Sequence, residues 1–231
     1  ARAAQPQQIV AGAPAPVSPE EFARLRDEAL DRPGDGVAQA RYIAALIARG
    51  LSGEALQRAR ALQARWPGAP ESHMLVGDAL GIAGNFAGAA EAYRRAANLA
   101  FTEPVAMRLI EALRRSGQAA AAAHVLQLFA EQNPRNVPAQ TMLAARAMAA
   151  ADWPEAIRIY EGLRTRIGDR DAIVLNNLAW AYAETGALDA ALPLARRAWQ
   201  LDPDNPATAD TLGWVLYRSG RRAEGLALLE R

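Results

Sequence analysis

The chain has 231 residues and no cysteine. Disulfides, thiolate nucleophiles and Cys-held zinc are excluded, and the absence fits an oxidising or a reducing compartment equally. Lysine is absent too, so all 26 basic residues are arginine. Against 25 acidic residues they leave a formal charge of +1, with no general field toward nucleic acid or an anionic membrane. Arginine without lysine, beside abundant alanine, reads as the codon habit of a GC-rich bacterial genome. Histidine occurs twice, at His73 and His124, with no paired carboxylates nearby, and both read as packing or surface residues. The five serines (Ser18, Ser52, Ser72, Ser116, Ser219) stand in no nucleophile context. No apolar run reaches the roughly 18 residues of a membrane-spanning helix. No stretch reads as a strand, so no glycine-rich phosphate loop follows one. Asp202, Asp204 and Asn205 have the composition of a calcium loop without its terminal Glu, and read as a turn that caps the next helix. The expectation is a protein that is not an enzyme and needs neither cofactor nor metal.

What the chain has is a repeat. Gly50, Gly84, Gly117, Gly186 and Gly220, with Ala151 in the remaining place, are spaced 34, 33, 34, 35 and 34 residues apart. Five residues after each comes a small residue: Ala55, Ala89, Ala122, Ala156, Ala191, Gly225. Seven or eight before each lies a pair: Tyr42-Ile43, Val76-Gly77, Leu109-Ile110, Leu143-Ala144, Leu178-Ala179, Leu212-Gly213. Pro33, Pro67, Pro134 and Pro203 close several units. Glycine gives a helix a left-handed exit, small residues let antiparallel helices approach closely, and proline ends the second helix. A single helix pair cannot bury its apolar stripe, so such pairs stack.

The pattern predicts helix-turn-helix repeats over 36–69, 70–102, 103–136, 137–171, 172–205 and 206–231, the last cut short. First helices fall near 37–48, 71–82, 104–115, 138–149, 173–184 and 207–218. Ser18-Pro19-Glu20-Glu21 is a helix start, so 18–35 is expected to hold a capping helix at one end of the stack. Residues 1–17 read as a flexible linker. Pro104, the alanine run Ala119–Ala123 and the missing turn glycine at Ala151 put the least regular part near 100–150. The start at Ala1 without Met, and the stop inside a predicted helix, read as a processed or truncated piece of a longer protein.

Asn176-Asn177-Leu178-Ala179-Trp180-Ala181-Tyr182, then Gly186, Ala190-Ala191, Ala198 and Leu201-Asp202-Pro203-Asp204-Asn205, resembles the tetratricopeptide repeat (TPR) family. So does Asn85-Phe86 through Ala89-Ala90-Glu91-Ala92-Tyr93-Arg94-Arg95-Ala96. The resemblance covers roughly 36–231. It implies an all-α, right-handed α-α superhelix (TPR solenoid) of about six repeats, with ligands held along an inner face lined by the first helices.

On that face, residues at i, i+4, i+7 and i+8 opposite the packing pair are Asn176, Trp180, Ala183 and Glu184, and then Asp210, Trp214, Tyr217 and Arg218. Trp and Tyr give rigid contact area, and Arg is the other common hot-spot residue. The competing assignment makes Trp180 and Trp214 core, although Leu178, Tyr182, Leu212 and Leu216 already fill the adjacent core positions. A second candidate set is Met74, Asp78, Met107, Glu111, Arg114 and Arg115, which competes with a plain solvated face. A carboxylate clamp for chaperone tails is not expected, because its Lys partners are absent. Nucleic acid is not expected either: the arginine pairs (Arg94-Arg95, Arg114-Arg115, Arg196-Arg197, Arg221-Arg222) cannot each face one groove, and acids interleave.

The partner is expected to be a protein or peptide, with a polysaccharide as a further possibility because stacked Trp and Tyr suit sugar faces. Asn176 to Tyr182 and Asp204 to Leu229, with Leu212-Gly213-Trp214 and Gly225-Leu226-Ala227-Leu228-Leu229, look like bacterial TPR proteins of exopolysaccharide export and PEP-CTERM (exosortase) systems. That resemblance implies a scaffold in a periplasmic or envelope assembly. The alternative is a substrate-recruiting or regulatory module of a larger enzyme whose catalytic domain is absent from this chain.

Overall fold

The computed structural model describes residues 17–229. The expected linker therefore lies, except for Val17, outside the described residues. Among the described residues there are thirteen helices and no strand, the all-α architecture of a helix-turn-helix stack. None is long and apolar enough to cross a membrane. The chain divides into two compact units between Phe129 and Ala130, inside the stretch where the repeat pattern is least regular.

Residues 17–129 hold α1 (Pro19–Asp31), α2 (Gly36–Ala48), α3 (Ser52–Arg65), α4 (Pro70–Ile82), α5 (Phe86–Leu99), α6 (Glu103–Arg115) and most of α7 (Ala119–Gln132). Ser18 starts α1 by accepting from the Glu21 amide, with Pro19 in the first turn. Leu25 and Ala29 of α1 join Tyr42, Ala45, Leu46, Ala55 and Ala79 in one buried cluster. Phe22 lies 5.5 Å from Tyr42, and the Arg49 guanidinium covers Phe22 at 4.5 Å. His73 is a packing residue. Its Nδ1 accepts from Gln63 at 2.6 Å, and its Nε2 donates to the Pro67 carbonyl at 2.8 Å, because a carbonyl can only accept.

Residues 130–231 hold α8 (Val137–Ala149), α9 (Trp153–Ile167), α10 (Ala172–Glu184), α11 (Leu188–Leu201), α12 (Pro206–Arg218) and α13 (Arg222–Leu229). Within this unit the first helix α10 packs on both α8 and α12. Asn136, Asp152, Asp171 and Asn205 each cap a helix through side-chain acceptors. Asn205 spends its oxygen on the Ala207 amide, which is the capping turn read from Asp202, Asp204 and Asn205.

The six turns share one hydrogen-bond scheme. The amides of Leu51, Asn85, Gln118, Asp152, Ala187 and Arg221 donate to the carbonyls of Leu46, Leu80, Leu113, Ala147, Tyr182 and Leu216. This closure needs a left-handed residue just before each donor. Five of those residues are glycine at φ 71–84°; the sixth is Ala151 at φ 57°. A Cβ in that conformation costs roughly 1–2 kcal/mol. Ala151 is exposed, so nothing offsets that cost through packing. Ala151→Gly is expected to stabilise the protein by about 1 kcal/mol, a rise of ~2–4 °C in melting midpoint. A lower midpoint would contradict this account of the turn.

The small residues five positions on, Ala55, Ala89, Ala122, Ala156, Ala191 and Gly225, are all buried. They set how close the two helices of a pair come. At Gly225 the approach leaves no room for a side chain: a Cβ there would lie 2.6 Å from the Gly213 carbonyl oxygen.

Candidate functional site

Counting back from each turn residue gives equivalent positions on the first helices. Ten back stand Thr141, Asn176 and Asp210; six back stand Ala145, Trp180 and Trp214. In residues 130–231 these belong to α8, α10 and α12 in order. The equivalence is physical, because Trp180 and Trp214 stack with centroids 6.4 Å apart and planes 27° apart. Tyr217 continues the stack from Trp214 at 6.2 Å and 8°. Arg222 closes it over Tyr217 at 5.7 Å. Trp180 and Trp214 are half-buried and Tyr217 is exposed, so the aromatic ladder lies at the surface edge of the packing rather than wholly inside it.

The polar groups around the ladder divide into committed and uncommitted. Arg218 is committed: its Nη1 donates to the Ala183 carbonyl at 2.8 Å and lies 3.9 Å from Glu184. Glu184 is partly exposed and only loosely paired. Asp210 is exposed and has no ion pair among the described residues. Asn176 is buried at 5% exposure. Its amide nitrogen makes one long bond, 3.4 Å to Asn177 Oδ1, and its Oδ1 has no partner. Among the described residues, the buried side-chain polar atoms without a partner are Asn176 Oδ1, Thr141 Oγ1 and Trp214 Nε1. All three sit on these two rows. An unpaired buried polar atom costs about 1–3 kcal/mol, so three on one face need a physical reason.

The site residues read from the sequence thus fall into two sets in different units. Asn176, Trp180, Glu184, Asp210, Trp214, Tyr217 and Arg218 come together on α10 and α12. Met74 and Asp78 lie on α4, and Met107, Glu111, Arg114 and Arg115 on α6. The charges of the second set are largely used internally. Asp78 Oδ1 accepts from the Tyr93 hydroxyl at 2.6 Å and from Arg108 Nε at 2.9 Å, tying α4, α5 and α6 together. Burial first, and then the Asp78 carboxylate, hold the Tyr93 hydroxyl well above the usual tyrosine range. Glu111 pairs with Arg114 at 3.4 Å, and the Arg115 guanidinium lies 3.8 Å over Phe86. Thr141 and Ala145 were missed by the sequence reading. Their register was available, ten and six residues before Ala151, but that repeat lacks its turn glycine.

Tetratricopeptide repeat family models match residues 44–101 and 141–206, more than half of the chain, and a second such model matches 182–231. The chain belongs to the tetratricopeptide repeat family. This TPR protein is 31% identical over 117 residues to the TPR repeat-containing protein PA4667 of Pseudomonas aeruginosa, covering 49% of this chain and 19% of that protein. It is 29% identical over 86 residues to the small glutamine-rich tetratricopeptide repeat-containing protein 2 of Mycosarcoma maydis, covering 37% and 24%. The chain thus spans about a fifth to a quarter of these relatives. Among solved structures, MamA from Desulfovibrio magneticus RS-1 (residues 41 to the end) superposes with a TM-score of 0.60 at 16% identity, covering 70% of this chain and 91% of that one. YrrB, a TPR protein with an unusual peptide-binding site, superposes at 0.59 and 15% identity, covering 80% and 95%. At such identities the likeness is one of fold.

Proposed function

We propose that this TPR protein is a scaffold that holds a peptide or protein segment against the first-helix face of α8, α10 and α12. TPR proteins are in general protein-interaction scaffolds. The observation that carries the site is the stack of Trp180 and Trp214, half-buried at equivalent repeat positions, continued by the exposed Tyr217, with the unpartnered oxygen of Asn176 one turn before Trp180. Rigid aromatic area beside an unused acceptor suits a segment that brings its own amide donors. The likeness of Asn176–Tyr182 and Leu212–Trp214 to TPR proteins of bacterial polysaccharide export supports a further proposal, an envelope assembly as the setting.

The test is a displayed peptide library selected against the full chain, followed by Trp180→Ala. Peptides selected on the wild type should lose about tenfold or more in affinity, with the melting midpoint moved by less than ~5 °C. A larger fall in midpoint, with affinity retained by the folded fraction, would make Trp180 a core residue. Separately, fractionation of source cells should place the protein in the envelope; a purely cytosolic pool would remove that setting.

A further inference from the structure

The turn between α9 and α10 gathers arginines from both sides of it. Arg164 of α9 holds the Asp169 carboxylate at both oxygens, at 2.6 Å from Nε and 3.3 Å from Nη2. Arg197 of α11 reaches the same residue but bonds its backbone carbonyl, through Nε at 3.1 Å. Arg166, in the last turn of α9, donates through Nη1 to the Pro134 carbonyl in the turn before α8. Arg170 lies beside Asp169 in the turn itself. It is exposed and has no ion pair among the described residues. Arg135, also exposed, stands beside Pro134 in the preceding turn.

These bonds fix guanidinium groups without neutralising them all. A carbonyl accepts a hydrogen bond but carries no net charge, so Arg166 and Arg197 are held in place with their charges unmatched by a bonded carboxylate. Arg197 uses Nε and keeps its Nη1–Nη2 edge, a fork that meets a carboxylate with two parallel donors. The nearby acids are already engaged. The carboxyl of Asp169 is held below the usual range, first by its bonds to Arg164 and also by the charges of Arg164 and Arg197. Asp171 caps α10 by accepting from the Ile173 and Val174 amides. Glu161 accepts from the Tyr182 hydroxyl at 2.9 Å and lies 3.6 Å from Arg164. Cations in the last turn of a helix complement its dipole, which accounts for Arg164 and Arg166. It does not account for Arg135 and Arg170. Each immediately precedes the capping residue of a first helix, Asn136 of α8 and Asp171 of α10, at the end where the dipole disfavours a cation.

We propose that Arg135, Arg166, Arg170 and Arg197 form a second binding surface, on the inter-repeat turns, for an acidic stretch of a protein partner. Successive glutamate or aspartate side chains supply charged acceptors to the free fork of Arg197 and to Arg170. A membrane surface fits less well. Among the described residues no large exposed apolar side chain lies in 133–136, 164–171 or 196–200 to enter a bilayer, and the chain's formal charge is +1. This surface shares no residue with the ladder of α10 and α12, and it stands whether or not the first-helix face binds.

The experiment titrates the full chain into fluorescein-labelled GSEEEEGS, with GSQQQQGS as the uncharged control, and reads fluorescence anisotropy. The glutamate peptide should bind and the glutamine peptide should not, with affinity falling about tenfold between roughly 50 and 200 mM salt. Arg170→Gln, which removes no ion pair, should weaken binding about threefold, and adding Arg197→Gln should bring the loss to about tenfold. Arg60→Gln with Arg95→Gln removes the same charge from exposed positions in residues 17–129 and should leave the affinity within about twofold. Folded Trp180→Ala should bind the glutamate peptide as the wild type does. No binding of the glutamate peptide, equal binding of the glutamine peptide, or an equal loss on changing Arg60 and Arg95 would each overturn the surface. Binding to phosphatidylcholine vesicles containing phosphatidylglycerol, with no response to the peptide, would also overturn it in favour of a membrane. Loss of peptide binding in Trp180→Ala would place the peptide on the first-helix face instead and overturn the second surface.

Discussion

Gly77→Ala is expected to destabilise the protein by about 2–3 kcal/mol, a large effect for one methyl group. Gly77 lies in α4 where that helix packs on α5, and a Cβ built there falls 2.4 Å from Cε1 of the Tyr93 ring, far inside van der Waals contact. The ring has little room to retreat. Tyr93 is buried, and its hydroxyl is fixed 2.6 Å from Asp78 Oδ1, the same oxygen that binds Arg108. Displacing the ring therefore strains the packing and the three-helix hydrogen-bond junction together. Gly81, one turn on in the same helix, has nothing within 4 Å of a built Cβ. Gly81→Ala should be neutral or stabilise by up to about 1 kcal/mol, because alanine costs less backbone entropy in a helix. Denaturant unfolding of both variants gives the contrast. A double-mutant cycle with Tyr93→Ala should recover most of the Gly77→Ala cost. If that cost persists without the ring, the clash is not its cause.

The features legible in the sequence are those whose chemistry is local. A turn glycine five residues before a small residue is a helix exit followed by a helix contact, and every such place is a turn followed by a buried residue. Ala151 could be placed by register although its residue type argues against a left-handed exit, since the neighbouring repeats fix the count. Features that need three helices at once were not legible. Asp78 reads as a surface acid in an acid–base–Met pattern, but its carboxylate belongs to a junction with Tyr93 and Arg108 that are 15 and 30 residues away. Asn176 and Asn177 are adjacent and chemically identical, and the sequence offers no way to tell their roles apart. One has its oxygen unpartnered on the first-helix face, and the other donates into the core to Tyr160. Trp180 and Trp214 were posed as either site or core. They are half-buried, so each belongs in part to the packing and in part to the surface.

The Tyr160–Asn177 pair carries the other large effect. Tyr160 is among the most deeply buried side chains of residues 130–231, and its hydroxyl accepts from Asn177 Nδ2 at 3.0 Å. Tyr160→Ala removes the ring and leaves a buried amide donor unpaired, so a loss of about 3–5 kcal/mol is expected. Tyr160→Phe keeps the ring and isolates the hydrogen bond, with a loss of about 1–2 kcal/mol. The pair of variants also separates a pH effect. Burial, opposed by the Asn177 bond, pushes the Tyr160 hydroxyl up to about 12, against about 10 in an unfolded chain. A raised value means the folded state keeps its proton where the unfolded state has lost it. The contribution is fully present below pH ~10 and is lost as pH rises toward ~12, amounting to about 2–3 kcal/mol at most. Tyr42, Tyr93 and Tyr182 are raised in the same direction, so the wild type should weaken steadily above pH ~10. Tyr160→Phe should start less stable and fall less steeply over that window, so that its curve approaches the wild type's near pH 12. Parallel curves for the two proteins would mean that Tyr160 ionises in the folded state as readily as in the unfolded chain, and that water reaches a hydroxyl the packing is supposed to seal.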